Sequence, residues 1–169
     1  MKSLFYNTGL TYDQNYDLGP LGVKKLKKPV FKYEKPRYKF LGFPIDLPLG
    51  IPAGPLLNSK FIKAAFDFGF SVPVYKTVRA DIFPCHPYPN VLYVNAPKEL
   101  HPDNTSRLIA DNNFSKNAFG VNITNSFGVP SKKPKIWQKD VKKAKSYEKN
   151  GQLLILSFMG TVRKNQTQL

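Results

Sequence analysis

Apolar and polar positions are grouped in blocks along the second quarter of the chain. Residues 49–54 form a short apolar run, and apolar positions at helical spacing follow between Asn58 and about Phe68. Asn58 is a favoured residue for a helix N-cap. A second apolar run, residues 71–78, is rich in valine and predicts a buried strand. The pattern therefore predicts a β-α-β unit with parallel strands.

Similar patterns predict further elements on both sides of this unit. Two apolar runs within residues 38–49 predict a β-hairpin, and short strands are predicted at residues 91–94 and 121–125. Residues 134–148 show helical spacing with a lysine-rich outer face, and residues 153–158 are an apolar run of strand length. The alternation of strand and helix predicts an α/β fold with a parallel sheet.

The remaining stretches show no such pattern. Residues 1–37 are rich in Tyr, Lys, Gly and Pro and have no sustained period, which predicts an extended arm lying on the domain. Residues 38–169 form the predicted α/β domain. Within it, the polar residues 95–117 are predicted to be an excursion over the surface.

Basic residues outnumber acidic ones by 26 to 11 in the 169-residue chain, which gives a net charge of +15. A field of this strength attracts nucleic acid, anionic lipid or an anionic small molecule. Sixteen of the 26 basic residues lie in residues 24–39 and 132–149, and neither stretch contains a nucleic-acid-binding motif. We therefore interpret both stretches as solvated faces rather than as a polyanion site.

Hydrophobicity and cysteine content lead us to expect a cytoplasmic protein. No run reaches the roughly 18 apolar residues of a membrane span, and the first residues lack the apolar core of a signal peptide. The single cysteine, Cys85, excludes an internal disulfide and fits a reducing compartment.

The ends of the two strands carry residue types that α/β folds use in ligand sites. Gly54, between Pro52 and Pro55, supplies a backbone that can adopt positive φ and that a ligand can approach closely. Lys76 and Thr77 close the second strand and place a cation at the same edge of the sheet. We therefore expect an anionic ligand there.

Two further positions carry polar chemistry. Asn125 ends a predicted strand, and its amide can donate and accept, which suits a ligand with carbonyl and N–H groups; an Asx-turn explains it equally well. Cys85 and His86 are neighbours on a proline-rich loop, and His101 is the only other histidine. Because adjacent loop residues do not face one another, we interpret this pair as loop residues rather than as a metal or catalytic site.

Four short motifs together resemble the N-terminal part of the dihydroorotate dehydrogenase family, flavin enzymes of pyrimidine biosynthesis that are built on a TIM (β/α)8 barrel. The motifs are Ile51-Pro-Ala-Gly54, Tyr75-Lys-Thr77, His86-Pro-Tyr-Pro89 and Asn125-Ser-Phe-Gly-Val-Pro130. The resemblance covers about residues 38–164. It implies an FMN-dependent oxidoreductase that converts dihydroorotate, a small-molecule pyrimidine substrate, to orotate.

The resemblance also implies roles for single residues. The cofactor-binding residues would be Pro52, Ala53, Gly54, Lys76 and Thr77. The substrate-binding residues would be Lys76, Asn125, Phe127, Gly128 and Val129. A cation beside a reduced flavin and an anionic substrate stabilises negative charge in both.

The number of strands leads to a further expectation. A (β/α)8 barrel typically needs about 250 residues, and the third barrel strand is the run of residues 153–158. We therefore expect a fragment truncated after that strand, with the catalytic base beyond Leu169. Alone it should be inactive, and any homodimer would belong to the full-length enzyme.

Two alternatives remain open from the sequence. The first keeps the FMN barrel and changes the substrate to another dihydropyrimidine, although Lys76 favours an anionic one. The second is a basic nucleic-acid-binding module that uses the lysine-rich faces, with Tyr and Phe as stacking platforms. No metal and no membrane partner are expected.

Overall fold

The computed structural model describes residues 5–23, 26–27, 35–94, 108–111 and 122–160. In these ranges the helices are α1 (Tyr12–Leu18), α2 (Ser59–Asp67) and α3 (Pro134–Lys145). The strands are β1 (Tyr38–Phe40), β2 (Phe43–Ile45), β3 (Gly50–Ile51), β4 (Val72–Arg79), β5 (Val91–Val94), β6 (Ala110–Asp111), β7 (Asn122–Asn125) and β8 (Ile155–Met159).

The strand β4 is the centre of a three-stranded parallel sheet with the order β3-β4-β8. Gly50 of β3 lies opposite Val72, and Ile155 of β8 lies opposite Val74. The predicted β-α-β unit and the α/β class with a parallel sheet are therefore confirmed. β4 is mostly buried, whereas Leu156 and Phe158 on β8 are exposed.

The helices α2 and α3 pack against each other and against β4. Asn58 caps α2 as predicted, because its side chain accepts from the backbone N–H of Lys60. Gly69 follows the helix with a φ of 87°, a conformation that favours glycine. The apolar faces of both helices meet in the core, which includes Phe61, Ile62, Ala65, Phe66, Trp137, Val141 and Ala144.

Part of the predicted extended arm forms the helix α1 instead. The Thr11 hydroxyl accepts from the backbone N–H of Gln14, and the Gln14 side chain accepts from the backbone N–H of Thr11. This capping box satisfies two free donors and stabilises a helix of only seven residues. The described residues beside this helix contact the core, since Phe5 packs edge-on against Phe61 with ring centroids 5.4 Å apart.

The other predicted strands also form. β1 and β2 are the antiparallel hairpin, and β5 and β7 join β6 in an antiparallel sheet that the sequence pattern does not predict. Within the predicted surface excursion, residues 110–111 form β6. Residues 95–107 and 112–121, with His101, lie outside the described residues, as do residues 161–169.

Candidate ligand-binding site at the strand ends

Lys76 is buried in the second half of β4. Only 6% of its surface is exposed, and its backbone N–H donates to the carbonyl of Leu56 over 3.0 Å. The register between β4 and β8 shifts between Tyr75 and Val78. Such irregularities redirect side chains and are common beside functional sites. The structure thus places Lys76 at a local break in the ladder, three residues before the strand ends.

The Lys76 ammonium group has no counter-charge among the described residues. No hydrogen bond or ion pair of its side chain is found with any residue that the structure describes. Burial lowers the pKa of Lys76; the nearby Cys85 thiol opposes this, and the positive charge of Arg79 adds to it. A buried cation without a partner is unfavourable. An anionic ligand at this position would remove that cost.

Thr77 connects the two strands of the site. Its hydroxyl lies 2.9 Å from the hydroxyl of Ser157 on β8, so the pair bridges β4 and β8. Thr77 and Lys76 both line a small cavity whose other side includes Pro130 and Ser131. The structure therefore places Lys76 and Thr77 beside Pro130 and Ser131, which directly follow the predicted substrate-binding residues.

The segment after β3 has an open backbone at Gly54. Gly54 does not adopt positive φ, so the structure does not use the conformational freedom that glycine offers at this position. Gly54 leaves open space beside the backbone, because a Cβ added there would meet no atom within 4 Å. Pro52 and Gly54 are exposed and Ala53 is half-buried. This backbone is open for a ligand to approach.

The turn after β7 has a constrained backbone. Gly128 has a φ of 72°, and Val129 has a φ of 55°, which is rare for a β-branched residue. A side chain at Gly128 would also clash with the imidazole of His86. Strained backbone of this kind persists only where its surroundings hold it, and it is concentrated at functional sites.

The proline-rich loop after β4 supports this turn. Asn90 is buried, and its amide donates to the carbonyls of His86, Pro87 and Ser126 over 2.9, 3.3 and 3.1 Å. The backbone N–H of Ser126 donates back to the Asn90 carbonyl over 2.8 Å. Asn90 is a site-forming residue that the sequence analysis missed, because nothing in its local pattern marks a contact 36 residues away.

Arg79 joins the end of β4 to the same turn. Its Nε donates to the carbonyl of Val129 over 3.1 Å, and its backbone N–H donates to the Ser131 hydroxyl over 3.0 Å. The guanidinium lies 3.8 Å from the ring centroid of Phe83, a cation–π contact. These contacts hold the carbonyl of the strained residue in place.

Asn125 and Phe127 have different surroundings within the turn region. Asn125 is exposed at the end of β7 opposite Val91, and its amide makes no hydrogen bond within the described part of the chain. The Asx-turn is therefore not formed, and the amide is available to a ligand. The Phe127 ring packs against the arm, with centroids 5.5 Å from Tyr6 and 5.7 Å from Tyr12.

Cys85 and His86 have separate neighbours. His86 lies over Gly128, and its Nδ1 is 3.3 Å from the Ser126 hydroxyl. Burial raises the pKa of the half-buried Cys85 thiol, and the negative charge of Asp13 adds to this effect. Cys85 also lines a cavity of about 240 Å³ between α1 and the loops.

Across the described ranges, no three His, Cys, Asp or Glu side chains are grouped so that they could hold a metal ion.

These features define a class: an α/β protein with a parallel sheet, a lysine that is buried in the central strand and has no partner among the described residues, an open glycine backbone after β3 and a strained turn after β7. Dihydroorotate dehydrogenase of Dictyostelium discoideum is 37% identical to this chain over an alignment of 162 positions, and the alignment covers 92% of this chain and 44% of the relative. The resemblance to the dihydroorotate dehydrogenase family is thereby confirmed along most of the sequence.

This chain spans less than half the length of that relative. No family model matches it. No helix in the part of the chain that the structure describes is long and apolar enough to cross a membrane.

Proposed function

We propose that this chain forms the cofactor- and substrate-facing N-terminal part of an FMN-dependent dihydroorotate dehydrogenase, a partial TIM barrel. The observation that carries the proposal is Lys76, a buried cation with no counter-charge among the described residues. The similarity to a dihydroorotate dehydrogenase supports the same conclusion.

The chemistry of Lys76, Thr77 and the segment after β3 suits a flavin. The open position beside Gly54 lets a planar ring system approach the backbone, and Thr77 offers a hydroxyl on the next strand. Pro52 and Ala53 would complete this wall. Bound FMN would supply a hydride acceptor for oxidation of the substrate. The charge of Lys76 would stabilise the negative charge that the reduced cofactor gains.

Lys76 and the 125–129 turn fit the substrate, dihydroorotate. The lysine would pair with the carboxylate of the pyrimidine, and the free amide of Asn125 would bind its alternating carbonyl and N–H groups. The strained backbone at Gly128 and Val129 would shape the side of the pocket that closes on the ring.

The base that takes the C5 proton of dihydroorotate is proposed to lie outside these 169 residues, as the family resemblance implies. Cys85 does not fit that role, because burial raises its pKa and it lies on the loop after β4, where it lines a cavity with Tyr12. We accordingly propose that this polypeptide alone holds FMN weakly and does not turn over. We further propose a cytoplasmic location, and homodimer formation only in a full-length enzyme.

The alternative of a nucleic-acid-binding module requires aromatic rings on the lysine-rich helix α3 that bases can stack on. Trp137 of α3, and Tyr147 just after it, instead pack against the core, and the Trp137 indole donates to the carbonyl of Arg79 over 3.1 Å. Base stacking requires exposed aromatic faces. The exposed lysines of α3 are better explained as a solvated face.

The test is FMN affinity in a complemented protein, defined here as residues 1–169 fused to the part of the Dictyostelium relative that has no counterpart in this chain. Flavin fluorescence quenching measures the dissociation constant. We expect Lys76→Met to weaken FMN binding about tenfold or more. The matched control is Lys39→Met, which removes an exposed lysine from β1 and should change nothing. Equal affinity in both variants would overturn the proposed role of Lys76.

A further inference from the structure

Residues 5–18, near the start of the chain, contact the turn formed by residues 125–132 at two separate points. At the first, Phe127 lies between Tyr6 and Tyr12, with ring centroids 5.5 and 5.7 Å away and interplanar angles of 71° and 60°. The Tyr6–Phe127 pair is edge-to-face, and such contacts are favourable beyond the burial of apolar area. Tyr12 is itself 5% exposed, so this contact belongs to the packed interior.

The second point is Lys132, at the far end of the turn. Its Nζ lies 2.6 Å from Oδ1 of Asp13 and 5.1 Å from the ring centroid of Tyr16. Both partners are on α1. The helix therefore holds the turn on both sides of the strained residue Val129.

The helix is in turn fixed to the core. Asn15 is fully buried, and its amide donates to the carbonyls of Asn7 and Thr11 over 3.0 and 2.9 Å. The Asn58 side chain donates to the carbonyl of Tyr16 over 2.7 Å, which joins α1 to the N-cap of α2. The arm is thus anchored independently of the turn, as a support must be.

We propose that residues 5–18 are a strap that positions the substrate-binding turn, with Tyr6, Tyr12 and Asp13 as positioning residues. The strap keeps Gly128 and Val129 in the left-handed region, and it acts through Phe127 and Lys132 rather than by touching the ligand. The claim about substrate rests on the proposed function; the claim about the turn does not.

Hydrogen–deuterium exchange of the full 169-residue chain tests the strap without flavin or substrate. Tyr6→Leu and Asp13→Asn should each raise the exchange of amides in residues 126–132 several-fold to about tenfold, because each removes one contact of the turn. Exchange in α2 and β4 should be unchanged. Tyr6→Phe keeps the ring against Phe127 and should restore protection.

The matched control for Asp13→Asn is Asp17→Asn, which removes an exposed acidic charge from the same helix without a contact to Lys132. The control should leave the turn protected. Unchanged exchange of the turn in both Tyr6→Leu and Asp13→Asn would overturn the strap, as would a loss of protection shared equally by α2 and β4.

The effect of the strap on substrate binding is tested in the complemented protein. Tyr6→Leu should raise the KM for dihydroorotate several-fold while kcat changes less, because ground-state positioning is lost and the reacting groups remain. An unchanged KM together with a loosened turn would contradict the substrate role of the turn. Absence of FMN binding in every variant would overturn the proposed function. The hydrogen–deuterium exchange result would still show whether residues 5–18 act as a strap.

Discussion

The Tyr75 hydroxyl donates to Oδ2 of Asp140 over 2.6 Å, and this hydrogen bond joins β4 to α3. Asp140 also accepts from the backbone N–H and the hydroxyl of Ser59, the first residue of α2, over 2.7 and 2.6 Å. Burial and the Asp140 carboxylate raise the pKa of Tyr75 above its usual range, so the hydroxyl remains a donor. One carboxylate thus fixes the strand from which Lys76 projects.

Asp140→Ala should lower the free energy of unfolding by about 2–3 kcal/mol, because it leaves the Tyr75 hydroxyl and the Ser59 donors without their acceptor. Urea denaturation measures the change. The matched control is Lys139→Ala on the exposed face of the same helix, expected to be within about 0.5 kcal/mol of the original protein. Equal destabilisation by both substitutions would contradict a structural role for the carboxylate.

Lys76→Met should stabilise the protein at neutral pH by about 0.5–2 kcal/mol while it weakens FMN binding, the pattern of a residue kept for function. The cause is the buried ammonium group, which has no partner among the residues described. Lys39→Met, the exposed control, should leave the unfolding free energy unchanged. A destabilising effect of Lys76→Met at pH 7 would contradict this account.

The pH dependence of stability should report on the same group. The pKa of Lys76 is lower in the folded protein than its ordinary value of 10.5, so the folded state binds fewer protons than the unfolded state between these two values. The free energy of unfolding should therefore gain a contribution that rises with pH across that interval. The stability difference between Lys76→Met and the original protein should shrink as the pH approaches 10.5, measured by urea denaturation at each pH. A difference that stays constant would rule out the lowered pKa.

Gly128→Ala should destabilise the protein by about 2–3 kcal/mol, because it adds positive-φ strain and a clash with the His86 imidazole. Gly42→Ala is the matched control: Gly42 has a φ of 84° and open space around it, so it reports the strain alone, about 1 kcal/mol. In the double variant with His86→Ala, the extra cost at residue 128 should disappear. A cost that persists would assign it to the backbone instead.

The elements with long apolar patterns could be predicted from the sequence. The helices α2 and α3 each pack an apolar face on the core, and β4 is a largely buried apolar run. The hairpin and β8 are also visible as apolar runs in the sequence, although most of their residues are exposed or half-buried. The arm helix α1 buries little at regular spacing, so periodicity misses it. Its signature was present as Thr11 followed by Gln14 at the spacing of a capping box.

The candidate site could be predicted only in part. Lys76, Thr77 and the 125–129 turn could be proposed as site residues because strand ends and turn residues are marked in the sequence and carry the family motifs. The burial of Lys76 without a partner in the described part of the chain could not be predicted, and neither could the contacts of Asp140. Asp140 lies on a lysine-rich helix, and its partners Tyr75 and Ser59 are 65 and 81 positions away. Contacts at such separations depend on the topology of the sheet.

The most direct test of the central claim is an anaerobic reduction experiment on the complemented protein loaded with FMN. Dihydroorotate is added, and the visible absorbance of the flavin is followed in the original protein, in Lys76→Met and in Lys39→Met. We predict rapid loss of the flavin absorbance in the original protein and in Lys39→Met. In Lys76→Met, reduction of the flavin should be slower by about 10²-fold or more. Failure of dihydroorotate to reduce the flavin, or equal rates in all three proteins, would contradict the central claim.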